Sequence, residues 1–350
     1  MKTSNYIDEY QNHSGVTAAL NADTLRRPYV AYLSDTGKID WNTKEPDYAS
    51  MPLTYEFLSD GEFEFYKRTA GNMSIDYKRI NGKYASDEWK TLSSSDNPRY
   101  RLNVEAGDII QFGGHADDYT DTYFRVSSGV TYNVYGNVMS LFDKFNFSGM
   151  TSFPSTSTNR CLLPWMFDVD SLYASETALL DARNLVFPVL DLSNNSIFNI
   201  FGNCVNMKYG PKILPATIVS NTKGSYQALF TGCESLVEAP ELSFTSMTSG
   251  NNAYETQACY RMFSYCTSLT KSPILKAEEL KSGCYKQMFS HCTNLNYVTC
   301  LAKTGTDGSN TENWLLNVSP TGTFVKHPDA VWPTGPSGIP EGWTVIDADV

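Results

Sequence analysis

Apolar and small residues recur at every third position in the segment RMFSYCTSLTKSPIL, residues 261–275. They stand at Phe263, Cys266, Leu269, Ser272 and Leu275. An amphipathic helix places apolar residues at i, i+3, i+4 and i+7, and a half-buried strand alternates apolar and polar residues. A sustained period of three fits neither. It predicts a chain that turns a corner every few residues and returns one side chain to the interior at each corner.

The same pattern recurs along the chain. Each complete copy has a Phe, a Cys three residues later and a Leu or Met six residues later, as in IFNIFGNCVNMKYGPKI, YQALFTGCESLVEAPEL and YKQMFSHCTNLNYVTCL. A weaker copy, LLPWMFDVDSLYASETAL, has Phe167, Val169 and Leu172 but lacks a Cys in register. Successive anchors are 34, 29, 33 and 26 residues apart, at Phe167, Phe201, Phe230, Phe263 and Phe289.

Self-similarity with this spacing predicts a solenoid, because one coil cannot bury its apolar side alone and stacked coils build a continuous interior. Each coil is expected to begin with a short helical turn and to run into a short strand. Small inward residues, Gly210, Ala239 and Ser272, mark where each coil is tightest. The predicted repeat core consists of Phe201, Cys204, Phe230, Cys233, Leu236, Phe263, Cys266, Leu269, Phe289, Cys292 and Leu295.

The repeated cysteines favour a structural role. Free Cys is among the most buried residue types, and a small side chain suits an inner corner. Their spacings of 29, 33 and 26 residues do not resemble the paired C-x₂₋₄-C ligands of zinc ribbons. A disulfide between adjacent coils and a metal site remain the alternatives to a ladder of buried thiols.

Strand-like alternation replaces the period of three between residues 51 and 134. In LTYEFLSDGEFEFYK, apolar residues alternate on both sides of a turn at Asp60 and Gly61, and similar segments follow with turns near Gly82 and Gly107. Short strands at regular spacing predict an antiparallel β-sandwich. It is expected to cap the first coil, whose apolar edge is otherwise exposed. A carbohydrate-binding module is the alternative.

The first 48 residues predict a separate small unit. Ser14 is a candidate N-cap for a short helix that ends at Leu20. A hairpin is expected in PYVAYLS-DTG-KIDWN, followed by a Pro-containing connector. The unit is too small to hold a core of its own.

Composition and charge narrow the function. The 350 residues carry 27 basic and 38 acidic side chains without a basic cluster, which argues against nucleic-acid binding. The longest apolar run, residues 161–167, is far shorter than a membrane span. The start, MKTSNYIDEYQNHSG, shows neither an apolar leader core nor a lipobox-like cysteine. We therefore expect no membrane insertion, and eight cysteines in a reducing compartment.

The search for catalytic chemistry yields little. His115 lies beside three Asp residues in GGHADDYTD, but the spacing is not that of an EF-hand, so a solvated acidic loop is predicted. His291 and Cys292 are adjacent, yet Cys292 occupies an inward position where a thiol is inert. No phosphate-binding Gly loop, nucleophile elbow or HExxH motif occurs. We predict a protein that is not an enzyme and has no cofactor and no bound metal.

The predicted solenoid nevertheless has a candidate contact surface. The two residues that follow each Leu or Met anchor are expected beside the strand and exposed. Stacked, they form a mixed stripe with two tyrosines that suits contact with a glycan or a protein, although a merely solvated face is the alternative. The candidate binding residues are Lys208, Tyr209, Glu238, Lys271 and Tyr297.

The repeats CYRMFSYCTSLTKSPIL and GCYKQMFSHCTNLNYVTCL resemble the BspA-type (Treponema pallidum-type) leucine-rich repeats found in gut Bacteroidales and their phages. The C-terminal segment NWLLNVSPTGTFVKHPDAVWPTGPSGIPEGWTV is similar to the closing module of those proteins. This chain departs from tidier members in its longer connectors, such as residues 244–257, and in the first copy without Cys. Such repeats serve adhesion and recognition generally, so the resemblance indicates fold more than function.

The segment LRRPYVAYLSDTGKIDWN is similar to a leader on structural proteins of Bacteroides phages, including the crAss-like group. This resemblance implies a segment that docks onto other virion proteins, although an ordinary N-terminal decoration of the sandwich is the alternative. The candidate anchor residues are Leu25, Pro28, Tyr29, Tyr32 and Trp41.

These inferences give an α+β, mostly β chain in four parts. An anchoring segment (1–48) precedes a β-sandwich (49–135), a leucine-rich-repeat solenoid (136–302) and a C-terminal cap (303–350). The expected function is a head or tail fibre of a phage virion, homo-oligomeric, that adheres to a host surface protein or glycan. A Bacteroidales cell-surface adhesin is the alternative, and a glycan-cleaving virion enzyme would need a carboxylate pair in a cleft.

Overall fold

The computed structural model describes residues 46–67, 74–93, 99–114, 124–151, 166–167, 179–188, 197–214, 226–245, 257–281 and 283–350. Within them the protein is mostly β and contains several sheets, one of them parallel. Single-turn 3₁₀ helices span Tyr48–Ser50, Val138–Leu141 and Phe147–Gly149. The strands are β1 (Leu53–Phe57), β2 (Gly61–Lys67), β3 (Ser74–Asn81), β4 (Lys90–Ser93), β5 (Arg99–Val104), β6 (Ile109–Gly113), β7 (Phe124–Ser128), β8 (Tyr132–Asn137), β9 (Leu179–Asp181), β10 (Leu185–Val186), β11 (Lys271–Leu275), β12 (Tyr297–Cys300), β13 (Thr323–Lys326) and β14 (Thr344–Asp347).

Two sheets pack against each other in the N-terminal part. A seven-stranded sheet has the order β10-β8-β1-β6-β3-β4, with β9 also paired to β8, and a three-stranded sheet has the order β5-β2-β7. The ring of Phe63 in β2 lies 5.1 Å from Tyr55 and 5.0 Å from Phe57 in β1, so aromatic contacts join the sheets. β9 and β10 run parallel to β8 although they come from the predicted solenoid segment. The seven-stranded sheet therefore continues across the domain boundary placed at residue 135.

Past residue 197, successive copies of the repeat lie on one another as layers. The Phe anchors form a continuous ladder in which neighbouring rings are 5.3–5.4 Å apart and within 3–6° of parallel. Stacked rings bury large apolar faces at an offset-stacking distance. All eleven residues of the predicted repeat core have no solvent exposure. Each layer thus covers the apolar face of its neighbour.

The segment before each ladder Cys is not the helical turn that the sequence predicted. Arg261 and Tyr265, four residues apart, both have positive φ (54° and 64°), and the equivalent residues of other layers do too. Alternate residues donate backbone N–H groups to the next layer, as Phe263 does to Met288 O at 2.9 Å. The intervening residues close tight turns, as Cys266 N–H does to Phe263 O at 3.1 Å. Hydrogen bonding to the next layer replaces the helical bonds, so the apolar pattern alone misled the prediction.

Aromatic residues cover both ends of the Phe ladder. At the first end, Phe167 lies 6.2 Å from Tyr55 of the seven-stranded sheet. At the other, the N–H of Phe289 donates to Trp314 O, and the Trp314 indole stacks on Trp332 at 5.2 Å. Layers therefore continue past residue 302, where the sequence placed the start of the cap. One buried cluster connects both parts of the protein.

Gly210 stands at one of the predicted tight inward positions, and an alanine there is expected to destabilise the protein. A Cβ on Gly210 would lie 2.7 Å from Cε1 of Phe230, whose ring is fixed between two others in the ladder. Overpacking of this kind costs about 1–3 kcal/mol. Urea unfolding of Gly210→Ala measures the loss, with Gly149→Ala as control because no atom lies within 4 Å of its added Cβ. Equal midpoints for the two variants would show that the ladder relaxes freely.

Candidate ligand-binding groove

A groove with a volume of about 400 Å³ opens on the strand side of the layers. Residues 209–212, 238–241 and 272–274 line it together with Arg183 and Lys276. Three successive layers supply the residue ranges, and Arg183 follows β9. The groove therefore forms only when several layers stack, and no single repeat contains it.

The groove lies where the row of paired strands is interrupted. Tyr209 forms parallel bridges to Asp181 on one side and to Glu238 on the other, so pairing extends from β9 to the layer of Glu238. Among the described residues, β11 pairs with β12 and not with that layer. Backbone bonds such as Val237 N–H to Lys208 O (3.1 Å) join the earlier layers. Pro273 of β11 has no N–H to donate, but Pro211 and Pro240 stand at the same place in the paired layers, so the proline alone does not account for the interruption.

Three of the five charged side chains that line the groove take part in ion pairs. Arg183 Nε lies 2.8 Å from Asp181 Oδ2, and its guanidinium is 3.7 Å from the ring centre of Tyr209. Lys276 Nζ lies 3.0 Å from Glu241 Oε1. The guanidinium of Arg183 holds the ring of Tyr209 in place. The two ion pairs leave the net charge of the groove close to zero, which suits an uncharged or zwitterionic ligand better than a polyanion.

The structure brings part of the predicted stripe to this groove. Tyr209 and Glu238 line it. Lys271 and Tyr297 lie just beyond it on β11 and β12, where Lys271 Nζ is 5.0 Å from the ring centre of Tyr297. Lys208 is exposed next to Tyr209 but does not line the groove. The stripe is therefore split between the groove and the neighbouring strand surface.

Sequence reasoning missed several lining residues. Arg183 precedes the complete repeats and has no counterpart in the pattern. The prolines carried a signal that was not used: Pro211, Pro240 and Pro273 each follow their Phe anchor by ten residues. Such a series of residues without an N–H marks the strand row as weakly paired. Lys212 and Lys276 had no distinguishing signal.

Two sets of predicted residues lie outside the described part of the chain. The anchor residues are one set, namely Leu25, Pro28, Tyr29, Tyr32 and Trp41. The acidic loop that begins at His115 is the other. Their predictions stay predictions.

The ladder cysteines are buried thiols in the described layers. Each donates its S–H to the carbonyl of the Phe anchor in the preceding layer, at 2.9–3.1 Å. The seven described cysteines are all buried. Burial raises the pKa of Cys292, Cys284 and Cys300 to about 12, so these groups stay protonated at neutral pH. A protonated, enclosed thiol is a poor nucleophile.

His291 does not activate its neighbour Cys292. Its Nδ1 lies 2.8 Å from Ser290 Oγ, and its Nε2 lies 3.0 Å from the side-chain amide nitrogen of Asn317. The thiol of Cys292 instead donates to Phe263 O. In the described ranges, no group of three or more His, Cys, Asp or Glu side chains is arranged to hold a metal ion. No helix in those ranges has the length and apolarity needed to cross a bilayer.

The chain was compared with protein-family models, curated proteins and solved structures. None of the three comparisons found a match. The groove and the layers around it are therefore the basis on which a function is proposed.

Proposed function

We propose that this protein is a non-enzymatic structural protein of a phage virion, a head or tail fibre that adheres to the bacterial host. In this proposal residues 1–48 dock onto other virion proteins and the layered part faces outward, with the protein acting as a homo-oligomer on the virion. The virion assignment is supported by the resemblance of the N-terminal segment to a phage leader. The adhesive role is supported by the groove.

We propose that the layered part is a leucine-rich-repeat solenoid of the BspA type. Three features support this: the constant Phe, Cys and Leu positions, the ring ladder with its 5.3–5.4 Å spacing, and the N–H bonds from layer to layer. The contact between Tyr55 and Phe167 supports a capping role for the N-terminal sheets.

The observation that carries adhesion is the groove around Tyr209 and Glu238. It combines a fixed aromatic face, prolines and balanced charges in about 400 Å³, the scale of a small-ligand or sugar site. The ligand that fits best is a host glycan or an extended peptide of a surface protein. Neither nucleic acid nor a membrane interior fits the charge and the sequence.

Changing Tyr209, Glu238, Lys271 and Tyr297 together to Ala is expected to weaken attachment to host cells about tenfold or more, because aromatic anchors dominate contact surfaces. Binding of purified, N-terminally labelled protein to susceptible bacteria measures the effect. The matched control is Glu278→Ala with Lys303→Ala, an exposed ion pair of 3.1 Å that does not line the groove. Normal attachment by the fourfold variant would show that the stripe is only a solvated face.

A further inference from the structure

At the groove, two neighbouring layers lose their backbone contact. Before the groove, Ser268 N–H donates to Glu234 O at 3.0 Å, and after it Glu278 N–H donates to Thr245 O at 3.3 Å. The structure describes both chain segments between these bonds, and no backbone hydrogen bond joins them there. Backbone groups on the two walls therefore have no partner across the groove.

An extended peptide is the ligand whose own backbone matches such a wall. The alternating N–H and C=O groups of a peptide strand pair with an exposed strand edge, and its side chains enter the pockets beside that edge. β11 offers this edge on the groove side, because among the described strands it pairs with β12 alone. A glycan has no comparable alternation of donors and acceptors.

Two charged side chains of the groove are free to meet a ligand. The other three take part in ion pairs, whereas Lys212 and Glu238 are exposed and make neither an ion pair nor a side-chain hydrogen bond within the described chain. Tyr209 is bridged to Glu238, and Lys212 is three residues beyond Tyr209. The free carboxylate and the free ammonium therefore belong to positions about 10 Å apart along the strand direction.

The groove also offers apolar contact on both walls. Arg183 covers one face of the Tyr209 ring at 3.7 Å, which leaves the partly exposed phenol available to a ligand on its other side. On the opposite wall, the side chain of Ile274 is 47% exposed. An apolar side chain of the ligand gains affinity by burying these surfaces.

We propose that the groove binds an extended peptide that carries one acidic and one basic residue about three residues apart, with an apolar residue between them. The acidic side chain pairs with Lys212, the basic side chain pairs with Glu238, and the peptide backbone pairs with the edge of β11. This inference rests on the proposed adhesive role of the groove and specifies its ligand. A neutral glycan would use neither the two free charges nor the backbone edge.

Fluorescence anisotropy of the full chain with short synthetic peptides tests the charges. The peptides share one sequence and carry Glu with Lys, two Glu, two Lys or two Gln on either side of a central Val. The Glu–Lys peptide is expected to bind about tenfold more tightly than the others, because like charges repel and Gln offers no charge. Glu238→Lys is expected to shift the preference to the peptide with two Glu, and Lys212→Glu to the peptide with two Lys.

Glu278→Lys is the matched control, since it makes the same charge change outside the groove lining and is expected to keep the original preference. If Glu238→Lys lowers the melting temperature, Glu238→Gln takes its place and is expected to remove the preference for a basic residue. Equal binding of the four peptides by the natural protein would overturn the proposal, as would an unchanged preference in the Glu238 variants.

N-methylated peptides test the backbone pairing separately. Because alternate N–H groups of a paired strand face its neighbour, methylation of one alternate set is expected to lower affinity about tenfold and methylation of the other set to leave it unchanged. Equal effects of the two sets would contradict pairing with β11.

Failure of the peptide assignment is distinguishable from failure of the adhesive role. If no peptide binds and the fourfold variant still attaches poorly to host cells, the groove remains the adhesive site and its ligand is a glycan, which overturns the peptide assignment alone. Normal attachment by the fourfold variant would overturn the adhesive role itself.

Discussion

The free energy of unfolding is expected to fall steeply as the pH rises from about 9 toward 12, because buried thiols resist ionisation. Burial raises the pKa of Cys284, Cys292 and Cys300 to about 12. In the unfolded chain the pKa of a thiol is about 8.5. Between these limits the unfolded state binds fewer protons than the native state, so stability decreases as pH increases. Below the pKa of a thiol in the unfolded chain, the contribution of the buried thiols to the free energy of unfolding is fully present.

The size of the effect follows from proton linkage. One thiol that is protonated when native and ionised when unfolded contributes a slope of about 1.4 kcal/mol per pH unit. Three such thiols give a slope of roughly 4 kcal/mol per pH unit. This is a large share of the free energy of unfolding of a folded protein, which is typically about 5–15 kcal/mol. Burial also raises the pKa of Cys259 and Cys266, which steepens the fall. Buried Tyr132, Tyr226 and Tyr285 act in the same direction at higher pH.

Urea unfolding at a series of pH values measures this slope. Cys300→Ala is the matched variant, since it removes one raised thiol and is expected to reduce the slope by one proton while lowering stability at neutral pH. A companion thiol assay is expected to detect few of the eight cysteines in native protein and all eight after denaturation. Four or fewer in denatured, unreduced protein would mean disulfides. A stability that is flat with pH would show that Cys284, Cys292 and Cys300 are not shielded from ionisation in the native protein.

The interior of the layers was predictable from the sequence, whereas their backbone was not. Phe263, Cys266 and Leu269 are three residues apart because one side chain is buried at each corner of the layer. The apolar types of these residues reveal the buried positions in the sequence. The left-handed residues are not visible in the same way, because Arg261 and Gln287 are not residues that favour positive φ. Their conformation follows from hydrogen bonding to the next layer, which a single repeat does not reveal.

The groove was less predictable for a related reason. Tyr209 and Glu238 were found because they follow a repeat anchor. The opening between them and β11 depends on a missing strand pairing, and Arg183 comes from outside the repeats. In the sheets, alternation predicted the inward face of β1, but Glu56 on its other face is also buried and accepts a hydrogen bond from Asn133 at 2.9 Å. Side chains that act across layers or between sheets have no local pattern.

Removing residues 1–45 is expected to abolish incorporation into virions while leaving the rest of the chain folded. This prediction rests on the proposed anchoring role of the N-terminal segment. The cut ends at residue 45 because the ring of Tyr48 packs on Tyr135 at 5.8 Å and Ala49 O accepts a hydrogen bond from Asn137. A chain that keeps these contacts retains its sheets, and stacked layers depend chiefly on their neighbours and caps.

Thermal melting of the purified truncated chain and its amount in purified particles, after complementation of a phage that lacks the gene, separate folding from assembly. The fourfold variant of the stripe is the control, and it is expected to enter virions normally yet attach poorly to cells. If truncation lowers the melting temperature, Tyr29→Ala with Trp41→Ala in the full chain takes its place, because two substitutions leave the chain length unchanged. Truncated protein found in virions at the normal level would contradict the anchor assignment. Loss of incorporation by a normally melting chain would place attachment to the virion in the first 45 residues and leave recognition of the host to the layers.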